Sequence, residues 1–277
     1  MYRSLLTLCT LALLAAPALA LADDRRCAHS DARDLALDLA GVKTVMFQIG
    51  HNELRVDATT AARPAVTGRA CASGANLLGQ LTLDQHREGD KLVVRATREG
   101  RGIWVGNQYA YMALQASVPA DVMVQLDVGS GDAWVTGASA LSADVGSGDV
   151  EARNIRGHVT AKVGSGDIEL REIGSLHVLS IGSGDVEAYN VRGNVEVGSI
   201  GSGDFTLKGA GGHVQIGSIG SGDADVERVS GNVTVGSIGS GDLDVEDVTG
   251  NLTVRSKGSG SIDHSRVSGT IDIPRRR

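Results

Sequence analysis

The sequence predicts an all-β fold, a single-stranded parallel β-solenoid of about eight coils with an irregular β-rich N-terminal cap. Three observations carry this. Gly-Ser-Gly-Asp begins at Gly129, Gly146, Gly164, Gly182, Gly201, Gly220 and Gly239, and a variant lacking the Asp begins at Gly258, so the coils run 17, 18, 18 and then 19 residues. A fixed period of this size marks a stacked architecture. Each copy is followed by apolar residues in strict alternation, the mark of a short strand with one buried face. Glycine supplies 38 of 277 residues, and no proline lies between Pro119 and Pro274, as continuous β-ladders require.

In chain order, residues 1–22 read as a secretory signal peptide. Arg3 supplies the positive n-region and Leu5–Ala16 the apolar stretch, with small-residue cleavage sites near Ala20 and Ala22. The apolar run is too short to span a membrane. The expected location is periplasmic or secreted, in a bacterium. There Cys27 and Cys71, the cysteines outside the signal, are expected to pair as a disulfide. No CxxC spacing supports a metal or redox pair.

Residues 23–117 lack the repeat and read as an N-terminal β-rich cap region. Strand patterns cover Lys43–Ile49, Glu53–Asp57, Leu77–Leu83, Lys91–Ala96 and Tyr111–Val118, and Glu88-Gly89-Asp90 reads as a hairpin turn. Residues Asp31–Ala40 are expected to form a short helix. Four aromatics fall here: Phe47, Trp104, Tyr109 and Tyr111.

Residues 118–274 are the repeats. Counting from each Asp, positions +1 and +3 are apolar, as in Val150/Ala152, Ile168/Leu170 and Leu243/Val245, and +6 is aliphatic, as in Ile155, Val191 and Val248. A glycine corner follows in most copies (Gly157, Gly193, Gly231, Gly250, Gly269), then a second strand such as Val195–Val197 or Val233–Val235. Ile181, Ile200, Ile219 and Ile238 precede the next Gly-Ser-Gly-Asp. The core is therefore built from small aliphatics, and one coil alone cannot offset its ordering entropy without neighbours. At the end of the chain, Pro274 and the basic tail Arg275–Arg277 read as devices against end-to-end growth.

The Asp column is the sharpest chemical feature: Asp132, Asp149, Asp167, Asp185, Asp204, Asp223 and Asp242. Stacked at ~4.8 Å, neighbouring carboxylates repel by about 1 kcal/mol in water and more near a protein surface. Two readings offset this. The carboxylates cap backbone N–H groups of the glycine-rich corner, or they hold calcium between coils. A second acidic column at +2 (Glu151, Glu169, Glu187, Asp225, Asp244, Asp263) points outward, with Arg153, Arg171 and Lys208 two residues on and Glu227 and Glu246 in that place later. It reads as a solvated face or a surface for a basic partner. Residues 118–277 hold 13 basic and 22 acidic side chains, which disfavours nucleic acid and anionic lipid as partners, and no nucleic-acid partner is expected.

The strand Gly89–Val94, the Val118-Pro119 step into Val124–Val128 and the Gly-Ser-Gly-Asp ladder together resemble a bacterial putative-adhesin family of β-strand repeats, a domain of unknown function. The resemblance covers roughly residues 40–273. It implies a β-helix-like stack, export and an adhesive role, and brings no catalytic residues.

No metalloprotease, nucleophile-elbow or phosphate-loop motif is present. The histidines are scattered; His158 and His213 share an outward column three coils apart, too far to share one metal, and His264 falls at an inward position of the last repeat. Coils this regular leave no room for the long loops of a polysaccharide-active β-helix enzyme, the less favoured alternative. A glycan-binding rod needs exposed aromatics, for which Trp134 and Tyr189 are the candidates. The reading is an exported, non-enzymatic cell-envelope protein, adhesin-like in binding or structural in role, monomeric, without cofactor and without stable membrane insertion. Its alternative is a calcium-binding solenoid using the Asp ladder. The sequence names no envelope or surface partner.

Overall fold

A computed structural model describes residues 27–59, 63–99 and 108–274. The expected signal peptide, Trp104 and Arg275–Arg277 lie outside these. The N-terminal part contains β1 (His29–Ala32), β2 (Leu35–Ala36), β3 (Thr44–Gly50), β4 (Glu53–Thr59), β5 (Ala65–Ala72), a single helical turn α1 (Ala75–Leu78), β6 (Leu81–Glu88), β7 (Lys91–Arg98) and β8 (Ala110–Pro119). The repeats then lay down one strand for each of two sheets per coil. Sheet I receives β10 (Ala133–Thr136), β12 (Val150–Arg153), β14 (Ile168–Ile173), β16 (Val186–Val191), β18 (Phe205–Ala210), β20 (Ala224–Val229), β22 (Leu243–Val248) and β24 (Ile262–Val267). Sheet II receives β9 (Met123–Val128), β11 (Leu141–Val145), β13 (His158–Val163), β15 (Ser175–Ile181), β17 (Val195–Ile200), β19 (Val214–Ile219), β21 (Val233–Ile238), β23 (Leu252–Lys257) and β25 (Ile271–Asp272).

Pairing between successive repeat coils is parallel and, apart from one slip between β13 and β15, in register with the repeat, for example Phe205↔Ala224↔Leu243↔Ile262 in sheet I. The inward residues of both sheets interdigitate in one continuous core. In the coil of β17 and β18, Val195, Val197, Ile200, Phe205, Leu207 and Ala210 are all buried. Each such aliphatic or aromatic removed from water contributes roughly 1.5–3 kcal/mol. The core is aliphatic, as the composition requires, with Phe47 and Phe205 its largest buried side chains.

The N-terminal region is more than a cap. β3 pairs in parallel with both β9 and β7, and β4 with both β10 and β8. The pairs β3–β4 and β7–β8 are thus two further coils, and the first in sequence is clasped between the second and the repeats. β8 runs through residue 118, where the repeats were expected to begin. The irregular part is antiparallel: β5 closes sheet I against β8, β1 and β2 lie on β5, and β6 closes sheet II against β7 through the Glu88-to-Lys91 hairpin. The Cys27–Cys71 disulfide, with Cα atoms 5.4 Å apart, ties the chain to β5.

Two expectations are corrected. Asp31–Ala40 is not a helix: Leu35 and Ala36 pair with Val66 and Ala65, because alternate leucines meet the β5 edge before helical periodicity can be used. The strand expected at Leu77–Leu83 starts only at Leu81. Residues 75–78 turn helically between Gly74 and Gly79, and the Leu77 and Leu78 N–H groups both bond Gly74 O.

Sheet II carries one bulge that recurs from coil to coil. Pairing of β13 with β15 slips between Ala161 and Lys162, leaving Leu179 unmatched, and in later coils Gly198 stands in the same place. Once introduced, the bulge is copied upward. Side chains there are costly: a Cβ on Gly217 or Gly236 would lie 2.3 Å from the carbonyl oxygen of the coil before.

A candidate binding face on the solenoid

Three columns run along the stack, two polar ones at its corners and a conformational one along sheet I. The first is the Asp column. At the Gly-Ser-Gly corner, Ser147 and Gly148 donate their N–H groups to Gly129 O of the preceding coil (2.6 and 3.1 Å), and the arrangement recurs upward. Those donors are already used, so each carboxylate takes the next one. Oδ1 of one Asp accepts the backbone N–H of the Asp one coil on: Asp185 to Asp167 at 2.9 Å, Asp204 to Asp185 at 2.8 Å, Asp223 to Asp204 at 2.9 Å and Asp242 to Asp223 at 2.8 Å. The same bond joins Asp149 to Asp132, Asp167 to Asp149, and finally Ser261 to Asp242 at 2.7 Å. The caps therefore bridge coils rather than closing their own turn. The N–H of Ser261 holds the Asp242 carboxyl below its usual range.

The second column went unread in the sequence. Asn194 Oδ1 accepts the N–H of His213, His213 Nδ1 that of Asn232, Asn232 Oδ1 that of Asn251, and Asn251 Oδ1 that of Thr270, at 2.8–3.0 Å. His158 occupies the same column, with Nδ1 2.9 Å from Ser175 Oγ. His158 and His213 are rungs of a ladder. Among the described residues no carboxylate bonds the His158 ring, so the Ser175 contact lacks the third member of a catalytic triad. The third column is conformational. Gly137, Asn154, Glu172, Asn190, Gly209, Arg228, Asp247 and Arg266 all have positive φ, and the pairing of sheet I skips them. Asn and Gly at four places were its only sequence signal.

The outer face of sheet I carries the remaining chemistry. Arg55, Trp134, Glu151, Glu169, Glu187, Thr206, Asp225, Asp244 and Asp263 form one column. Arg153, Arg171, Tyr189, Lys208, Glu227 and Glu246 form the next. Arg153 pairs with Glu151 and Arg171 with Glu169, and Lys208 reaches Glu227 at 3.8 Å. Arg55 lies 4.1 Å over the Trp134 ring and Arg171 4.2 Å over Tyr189. The Tyr189 hydroxyl donates to Glu187 (2.6 Å), which raises its pKa. Toward the C-terminus the cations give out, and burial together with Glu227 and Asp244 raises the Asp225 carboxyl.

An open groove of about 380 Å³ runs across four coils here. Asp132, Asp149, Asp167 and Asp185 form one wall, and Trp134, Glu151, Glu169 and Glu187 the floor. A smaller groove of about 200 Å³, lined by Arg55, Thr136, Arg153, Glu151 and Trp134, shares its Trp134 and Glu151 border. Among the described residues no three His, Cys, Asp or Glu side chains converge as a metal-ligand set, and no helix is long and apolar enough to cross a membrane.

Comparison with known proteins places this architecture. Residues 156–277 match the family described as Toastrack DUF4097, in line with the resemblance carried by the repeats. Two solved structures share the fold. A "putative adhesin" from Parabacteroides merdae is 14% identical with a TM-score of 0.58, covering 86% of this chain and 97% of its own. A "putative lipid binding protein" from Parabacteroides distasonis is 19% identical with a TM-score of 0.53, covering 90% and 98%. No curated protein matches the chain.

Proposed function

We propose that this solenoid, whose C-terminal coils match a family of unknown function, is an exported, non-catalytic binding module of the cell envelope. Its contact surface is the outer face of sheet I around Trp134. One observation carries the reading. Two grooves meet at Trp134, and their walls are open carboxylates beside paired arginines on rigid, in-register strands. Such a surface offers acceptors for hydroxyl or amine donors and an indole for apolar contact, which suits a cell-surface glycan. The names borne by the structural neighbours, an adhesin and a lipid-binding protein, agree with a binding role. The disulfide fits an oxidising compartment.

The chain has two tryptophans, so a Trp104→Phe variant leaves Trp134 as the only indole reporter. Its emission is titrated with soluble peptidoglycan fragments, with capsular or lipopolysaccharide glycans, and with neutral and anionic phospholipid vesicles. A saturable shift with a glycan, abolished by Glu151→Gln with Asp149→Asn, is the expected result. A response to vesicles alone assigns a lipid ligand instead. Silence toward every probe, or release of a covalent product from any glycan, overturns the reading.

A further inference from the structure

We infer that the last coil is a built terminator: its inward and ladder positions are exchanged for residues that stop a second copy of this chain from stacking onto the C-terminal end. Four columns change character together at this coil, and in a fifth the side chain folds back onto the coil before. The inward +3 column is aliphatic through Val135, Ala152, Leu170, Ala188, Leu207, Val226 and Val245, and its next member is His264, which is exposed. The inward column Ile181, Ile200, Ile219 and Ile238 is followed by Lys257, whose ammonium folds onto Gly260 O. The Asp column ends in Ser261, so its carboxylate acceptor is missing for any further coil. The Asn column ends likewise in Thr270. In the positive-φ column, Arg266 turns back onto Glu246 and Asp247 of the coil before.

Without these changes the end would be adhesive. Among the described residues the outer edges of β24 and β25 carry no further strand. Ile262, Val267 and Ile273 pack on the core from one side only, and Ile271 is 40% exposed. An unpaired edge over an apolar cross-section is the template for adding another chain. The natural occupant is the same end of a second copy, since a two-fold sets the same unpaired edges of β24 and β25, and the same apolar cross-section, against each other. A lysine standing in the inward column makes that union bury a charge that meets no carboxylate there. The other end of the stack is closed differently, by antiparallel β1, β2, β5 and β6. With one end open, removing the block produces a closed two-fold pair and not a filament.

The test is the solution mass of the mature chain and of a Lys257→Ile, Ser261→Asp, His264→Val variant, by light scattering from micromolar to millimolar protein. The wild type is expected to hold the mass of one chain, and the variant to double it with rising concentration. Where the triple variant loses its cooperative thermal melt, the His264→Val variant carries the measurement. A folded variant that stays at single-chain mass overturns the inference, and so does a wild type that itself pairs through this end. Neither outcome depends on whether the sheet I grooves bind a ligand.

Discussion

The physics of this stack is set by single atoms at the Gly-Ser-Gly corner. A Cβ placed on Gly203 would stand 1.8 Å from Gly184 O, and the same is true of Gly222 over Gly203. No φ requirement is involved; the coils approach too closely for any side chain. Gly203→Ala is therefore expected to cost near the upper end of an overpacking change, about 3 kcal/mol. For a chain of this size that lowers Tm by roughly 6–12 °C, read by circular dichroism. Asp225 shows the opposite economy of charge. Burial, Glu227 and Asp244 raise its pKa in the folded state. A raised carboxyl favours the folded state when protonated, and that advantage is lost as pH rises through the folded pKa. At neutral pH the charge is a liability, so Asp225→Asn is expected to raise Tm there by about 1–4 °C. The gain should vanish below about pH 3, where Asp225 is essentially neutral in both states. An equal gain at every pH would show that the amide acts through packing and not through charge.

At the scale of the element, successive coils are joined by side-chain acceptors, at the Asp corner through all the repeats and at the Asn corner from Asn194 onward. Asp204 accepts the Asp223 N–H and receives no cation among its described contacts. Asp204→Ala should cost about 1 kcal/mol, as loss of a helix cap does. Asp204→Asn keeps an oxygen in place and relieves repulsion from Asp185 and Asp223, so it should change stability by less than about 0.5 kcal/mol. Thermal melts of both variants, with calcium and with chelator, separate capping from ion binding. A cap gives this ordering in either buffer, whereas an ion site makes Asp204→Asn as harmful as alanine and only when calcium is present. The Asp column was legible because it repeats without interruption. The Asn column was not, since His213 breaks it in the middle and His158 and Ser175 at the start. The strands from β12 to β22 were legible from alternation alone. Alternation also marked β3, β4, β7 and β8, through Val45, Phe47 and Ile49 or Leu54 and Val56. It could not give their order in the stack, because which coil clasps which is decided by pairings such as Thr44↔Met123, across nearly eighty residues. The groove at Trp134 was half legible: the indole stood out, but Arg55, its partner, comes from a coil that lacks the repeat.

Across the whole molecule, contacts run almost entirely between neighbouring coils, so stability is close to a sum along one axis. Such a rod opens from its ends, and its two ends differ. The C-terminal end is a plain coil with altered residues. The N-terminal end is an antiparallel patch whose outermost strand, β1, lies against β5 through four residue pairs and is held there by the Cys27–Cys71 bond. With the cysteines 44 positions apart in sequence, closing that loop in the unfolded chain is worth about 2–4 kcal/mol. In a globular domain that loss would be shared by every element at once. Here it should stay local. Hydrogen exchange on the reduced protein is expected to show protection lost in β1, β2 and β5, partly lost in β8, and unchanged from β16 to β22. Those central strands sit several interfaces away, and their opening is governed by coils the disulfide does not touch. Uniform loss of protection on reduction would mean instead that the clasped β3–β4 coil couples the N-terminal patch to the whole rod, because it must be threaded between β7–β8 and β9–β10 before the repeats can rest on it.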